Sequence, residues 1–167
     1  MDIFQHTTDW IKGELFEGKL VLIFGIITCI CAFLFYKVGT TPNAKALLFP
    51  LLIAGFMFVG IGGSMLYSNP KRLAEFPKVY QENPDAFVEA EKERVETFTK
   101  WYPTTRYVFA ALGVLGVVLF LFWNKPIGKA IGIALLLMTI ATYVVDHFSE
   151  ERAATYYQLL KSYTPNN

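Results

Sequence analysis

Four stretches of this chain, residues 20–36, 46–67, 107–123 and 130–145, contain no Asp, Glu, Lys, Arg or His. A bilayer's hydrocarbon core is about 30 Å thick and takes roughly 17–25 apolar residues as a helix. The second run is long enough as it stands. The first and third sit at the short end, and the fourth reaches full length once Pro126 to Lys129 are included. Backbone N–H and C=O groups in lipid must be paired within the segment, so runs of this kind cross as helices. A soluble bundle would need a polar face on each run, and none has one. The composition agrees, with 54% apolar and only 17% charged residues, against about 25% charged in ordinary soluble domains.

The expected fold is therefore all-α: a polytopic membrane protein with four transmembrane helices, arranged as two tandem hairpins with amphipathic cytoplasmic helices. It is read as a single membrane domain. Residues 1–67 form the first hairpin with an interfacial N-terminal helix, 68–106 a cytoplasmic helical connector, 107–148 the second hairpin and 149–167 a cytoplasmic C-terminal helix. The first apolar run ends at Phe35-Tyr36-Lys37 and lacks both a basic leader and a small-residue cleavage site, so it is expected to stay as a span.

Charge placement sets the expected orientation. Of the 15 Lys and Arg residues, only Lys37, Lys45, Lys125 and Lys129 lie in the two short turns. The positive-inside rule then puts both termini and the connector in the cytoplasm, with a bacterial inner membrane as the expected location. All 14 acidic residues fall on that side as well. The net charge of +1 argues against nucleic acid as a main partner.

Phe4, Trp10, Ile11, Leu15 and Phe16 recur at roughly helical spacing, which predicts a short amphipathic helix lying on the leaflet with Trp10 at headgroup depth. In the connector, Asn69-Pro70 and Asn83-Pro84 both resemble helix starts, with Asn as N-cap and Pro at the first helical position. Two helices follow. One covers 70–81 and is interrupted near Pro77; the other covers 84–102 and presents Phe87, Val88, Val95, Phe98, Trp101 and Tyr102 on one face. Pro103-Thr104-Thr105 is expected to separate the second from the third span.

Small residues mark candidate packing seams. Gly60 and Ser64 stand four apart in the second run, Gly113 and Gly116 share a patch in the third, and Gly128 and Gly132 form a GxxxG pair before the fourth. Such spacing lets helix backbones approach closely. The halves also resemble each other: 33–37 parallels 120–124, 44–46 parallels 128–130, and 71–76 parallels 151–156. An internal repeat of parallel type is expected from this.

A search for chemistry is short. No Walker loop, HExxH or CxxC is present, and Cys29 and Cys31 stand about 200° apart on a helix, so they do not pair. No catalytic set, cofactor or metal site is expected. One polar cluster, Asp146, His147, Glu150, Glu151 and Arg152, lies at the end of the fourth run. Ionisable side chains are absent from the span interiors, which argues against ion-coupled transport. The expected function is a small, non-enzymatic integral membrane protein that acts by lipid or protein binding, self-association or assembly with another membrane protein. A homo-oligomeric channel lined by Thr28, Ser64, Thr139 and Thr142 is the alternative. A membrane enzyme acting on a lipid or quinone through Asp146, His147 and Glu150 comes third.

Overall fold

The structure, a computed structural model, describes residues 3–163. The last four residues of the expected C-terminal segment lie outside them. In order the helices are α1 (Ile3–Val38), α2 (Pro42–Ala46), α3 (Leu48–Glu82), α4 (Pro84–Thr99), α5 (Trp101–Phe122) and α6 (Pro126–Lys161). The described residues hold only helices and short turns. Four helical segments, carried by α1, α3, α5 and α6, are long and apolar enough to cross a membrane. This is an integral membrane protein by that measure.

The long helices outrun the bilayer. At 36 residues, α1 and α6 each reach about 54 Å at 1.5 Å per residue, against a hydrocarbon core of about 30 Å. The excess gathers at one end of the molecule with all of α4. Residues 39–47 and 123–125 turn the chain at the other. The first turn is built by Thr41, whose Oγ1 accepts from the Ala44 N–H at 3.2 Å to cap α2. Pro42 follows where its missing N–H costs nothing.

Within the membrane region, helices pack backbone to backbone along glycines. Gly18 and Gly25 on α1 interlock with Gly55 and Gly62 on antiparallel α3. A Cβ on Gly25 would lie 2.7 Å from the Val59 nitrogen, and one on Gly62 2.5 Å from the Leu22 nitrogen and 2.7 Å from the Gly18 oxygen. Each pair stands seven apart, so both members fall on one helix face. Burying oil against oil gains little in lipid, and close van der Waals approach takes over as the driving force. Gly60, expected to seat a neighbouring helix, instead meets open space, and Ser64 is exposed. The seam runs along the opposite side of α3. On the second pair, Gly116 and Gly132 oppose each other, each Cβ position 2.6–3.0 Å from the other's carbonyl oxygen. Gly113 lies against Thr139, and Gly128 makes room for the Trp123 ring in the turn. Thr139 Oγ1 and Tyr143 Oη donate across to the Phe109 and Arg106 carbonyls of α5.

The charged end is different in kind. Ile3, Trp10, Ile11, Phe87, Val88, Val95, Tyr156 and Leu160 form a buried cluster drawn from α1, α4 and α6, with Leu73, Phe76 and Tyr80 of α3 against it. These side chains lie beyond the charge-free runs, where burial from water stabilises by about 1.5–3 kcal/mol for each large apolar side chain. The expected interfacial N-terminal helix is corrected here. Residues 3–19 continue the first span without a joint, and Trp10, 6% exposed, is core rather than headgroup anchor. Its apolar face has protein to pack on. A single helix also avoids the orphaned backbone groups of two extra ends.

Two further expectations fail in the connector. Asn69-Pro70 does not start a helix, and α3 runs through both Pro70 and Pro77. Pro70 is exposed and Pro77 half-buried, and prolines seven apart share one side of a helix. Tertiary contacts of Leu73, Phe76 and Tyr80 hold the helix beyond them. Asn83-Pro84 does start one: Asn83 Oδ1 accepts from the Ala86 N–H at 3.0 Å. The second break falls at Lys100, before Pro103, which sits in the first turn of α5 where its lost donor is unneeded. Tyr102 stays buried on the stripe, while Trp101, about a quarter-turn off it at 100° per residue, is 65% exposed.

Candidate functional site

Helices α1 and α6, one from each membrane pair, meet near both ends and part between. At the turn end, Ala32, Leu47 and Leu51 pack against Ala130 and Ala134. At the charged end, Trp10 stacks on Tyr156 with ring centroids 5.0 Å apart and planes 9° from parallel. Between these two abutments lies a groove of about 660 Å³. Its walls are Leu20, Val21 and Phe24 of α1, Phe58 of α3, and Leu137 to Phe148 of α6. Leu137, Ile140, Ala141, Val144, Val145 and Phe148 recur at steps of three and four, one continuous face of α6.

One end of the groove is polar. Glu17 and Arg152 border it, and Arg152 Nη2 donates to both Glu17 Oε2 and Glu14 Oε1, the latter at 3.1 Å. A Cβ on Gly13 would stand 3.3 Å from Arg152 Nε, so the guanidinium lies close over the α1 backbone there. Burial pushes the Glu17 carboxyl above its ordinary pKa, against the pull of its Arg152 hydrogen bond. For Arg152 burial acts downward, but the hydrogen bonds and charges of Glu17 and Glu14 win and raise it. The triad thus combines a permanent cation with a carboxyl that keeps its proton more readily than usual.

A second polar network holds the abutment together. Glu91 is 3% exposed. It takes Arg94 Nε and Nη2 at 2.7 and 2.5 Å and the Tyr156 hydroxyl at 2.9 Å. Thr7 Oγ1 lies 2.8 Å from the same hydroxyl. Thr7 Oγ1 in turn donates to the Ile3 carbonyl at 3.1 Å. Burial first, and the Glu91 charge second, drive the Tyr156 pKa upward. This network ties α1, α4 and α6 by groups that would each be costly to leave unpaired.

The cluster read from 146–152 is dispersed. Glu150 pairs with Arg106 on α5, and Arg152 joins the triad on α1. His147 and Glu151 are exposed, the former beside Phe148. No group of three or more His, Cys, Asp or Glu side chains among the described residues could hold a metal ion. Of the proposed pore-lining hydroxyls, Thr28 and Thr139 donate to the Phe24 and Phe109 carbonyls. Glu14, Glu17 and Glu91 carry the polar geometry and stood out in no motif. Glu91 gave a signal all the same: it falls on the same stripe as Phe87, Val88 and Val95. Comparison with family models, curated proteins and solved structures finds no match.

Proposed function

We propose that this integral membrane protein is a non-enzymatic lipid-binding protein that holds one lipid molecule between its two membrane hairpins. The chain of the lipid lies in the groove between α1 and α6, and its head reaches the Glu14–Glu17–Arg152 triad. The observation that carries the reading is the groove itself: about 660 Å³, within the roughly 300–1,000 Å³ of ordinary ligand sites, apolar along its length and polar at one end only. Arg152, whose Nε has no partner among the described residues, offers donors there for an ester, hydroxyl or carbonyl oxygen. The excess of Lys and Arg at the charged end supports placing that end, with both termini, in the cytoplasm of a bacterial inner membrane.

Native mass spectrometry of the full chain released from detergent tests the reading. One lipid mass should remain on each chain, and Ala141→Trp, which fills the groove from its wall, should lose that lipid with an unchanged melting curve. Absence of retained lipid, or equal retention by Ala141→Trp, would refute it.

A further inference from the structure

The charged end holds a second hollow, about 550 Å³, which the lipid groove does not use. It opens between α1, α3 and α4 and is lined by Trp10, Glu14, Arg72, Glu93, Arg94 and Phe98, among others. Arg72 is half-buried there, and its one side-chain hydrogen bond runs along its own helix, Nη1 to Asn69 Oδ1 at 3.1 Å. No carboxylate among the described residues lies within 4.0 Å of it. Burial and then the Arg94 charge pull its pKa below the usual guanidinium value, only partly offset by Glu91 and Glu14. Arg94 commits Nε and Nη2 to Glu91 and keeps Nη1, with its guanidinium 4.6 Å over the Trp10 ring. The Trp10 indole N–H, with no acceptor among the described residues, is buried out of reach of the hollow, so the ring serves there as wall. The acids in the wall do not answer these donors, since Glu14 turns to Arg152 and Glu93 is exposed.

We infer that this hollow binds a phosphate group, carried either by a soluble phosphorylated compound or by the head of an anionic lipid. A phosphate presents three strong acceptor oxygens, enough to serve Arg72 and the remaining Arg94 N–H together. The guanidinium fork of Arg72 fits two of them side by side. Arg72 lies five residues past Tyr67, where the charge-free run ends, so the hollow stands at headgroup level and within reach of water. The inference shares only Glu14 with the polar end of the groove, and its donors, Arg72 and Arg94, are not groove residues, so it stands or falls separately.

Full-length protein in phosphatidylcholine nanodiscs, titrated with inorganic phosphate at constant ionic strength and followed by phosphorus NMR line broadening, tests the soluble source. Mass spectrometry of protein released from phosphatidylcholine nanodiscs containing a minority of phosphatidylglycerol tests the lipid source. Binding in either arm that depends on Arg72 supports the site and names its source. Arg72→Gln should weaken that binding about 10–100-fold, the loss of one charge-assisted contact. Arg106→Gln, at the Glu150 pair outside the hollow, should leave it unchanged. If Arg72→Gln fails to fold, Arg72→Lys keeps the charge but loses the guanidinium fork, and a several-fold weakening is expected. No binding in either arm, or binding indifferent to these substitutions, overturns the inference.

Discussion

Alanine at Gly62 and alanine at Gly60 are chemically the same change two residues apart on α3, and the structure assigns them opposite outcomes. Both gain the same helix propensity, about 0.8–1.0 kcal/mol in soluble hosts, so that contribution cancels in the comparison. At Gly60 the new methyl meets nothing within 4 Å. At Gly62 it lands 2.5 Å from the Leu22 nitrogen and 2.7 Å from the Gly18 oxygen. Both obstacles are backbone and have no rotamer to escape into, so α1 must move off α3. Overpacking of a tight contact costs about 1–3 kcal/mol, and that is the expected gap between the variants. Reversible unfolding in mixed detergent micelles measures it directly. Gly25→Ala, 2.7 Å from the Val59 nitrogen, should fall with Gly62→Ala. If Gly62→Ala and Gly60→Ala unfold together within error, the glycine seam does not hold the first hairpin.

Two other substitutions test the charged end. Tyr156→Phe removes one partner of buried Glu91 and should cost about 1–3 kcal/mol, whereas Tyr157→Phe, whose hydroxyl meets Glu96 at an exposed site, should stay within about 0.5 kcal/mol of the parent; equal losses in a denaturant titration would count against the network. Because burial raises the folded-state pKa of Glu17, the folded chain binds its proton more tightly than the unfolded chain. That contribution is complete below the unfolded value near 4.5 and is lost as pH rises through the folded value, by about 1.4 kcal/mol for each pH unit between the two. Unfolding measured from pH 4.5 upward should show this loss, and Glu17→Gln should flatten it; an unchanged slope would mean that Glu17 is not the group responsible.

The four membrane helices are legible because a charge-free run is a property of composition, which needs no knowledge of neighbours. Seams are not legible in that way. The Gly60–Ser64 spacing is correct for close approach, but spacing names no face. Only the matching seven-residue pairs, Gly18–Gly25 and Gly55–Gly62, on two antiparallel runs carry that information jointly. The Asp146–Arg152 stretch misleads for a related reason. A helix fans its side chains around its axis, so Glu150 finds Arg106 and Arg152 finds Glu14 and Glu17, partners 44 to 138 positions away. Proline misleads too: Pro70 has the local chemistry of a helix start, yet aromatic packing beyond it keeps α3 whole.

The two abutments between α1 and α6 have a mechanical meaning. A pair of rods braced top and bottom cannot collapse onto each other, so the span between them stays open whether or not anything occupies it. On the reading proposed above, a lipid tail takes up that opening and becomes part of the wall, and the lipid then serves this fold as a building material as well as a solvent.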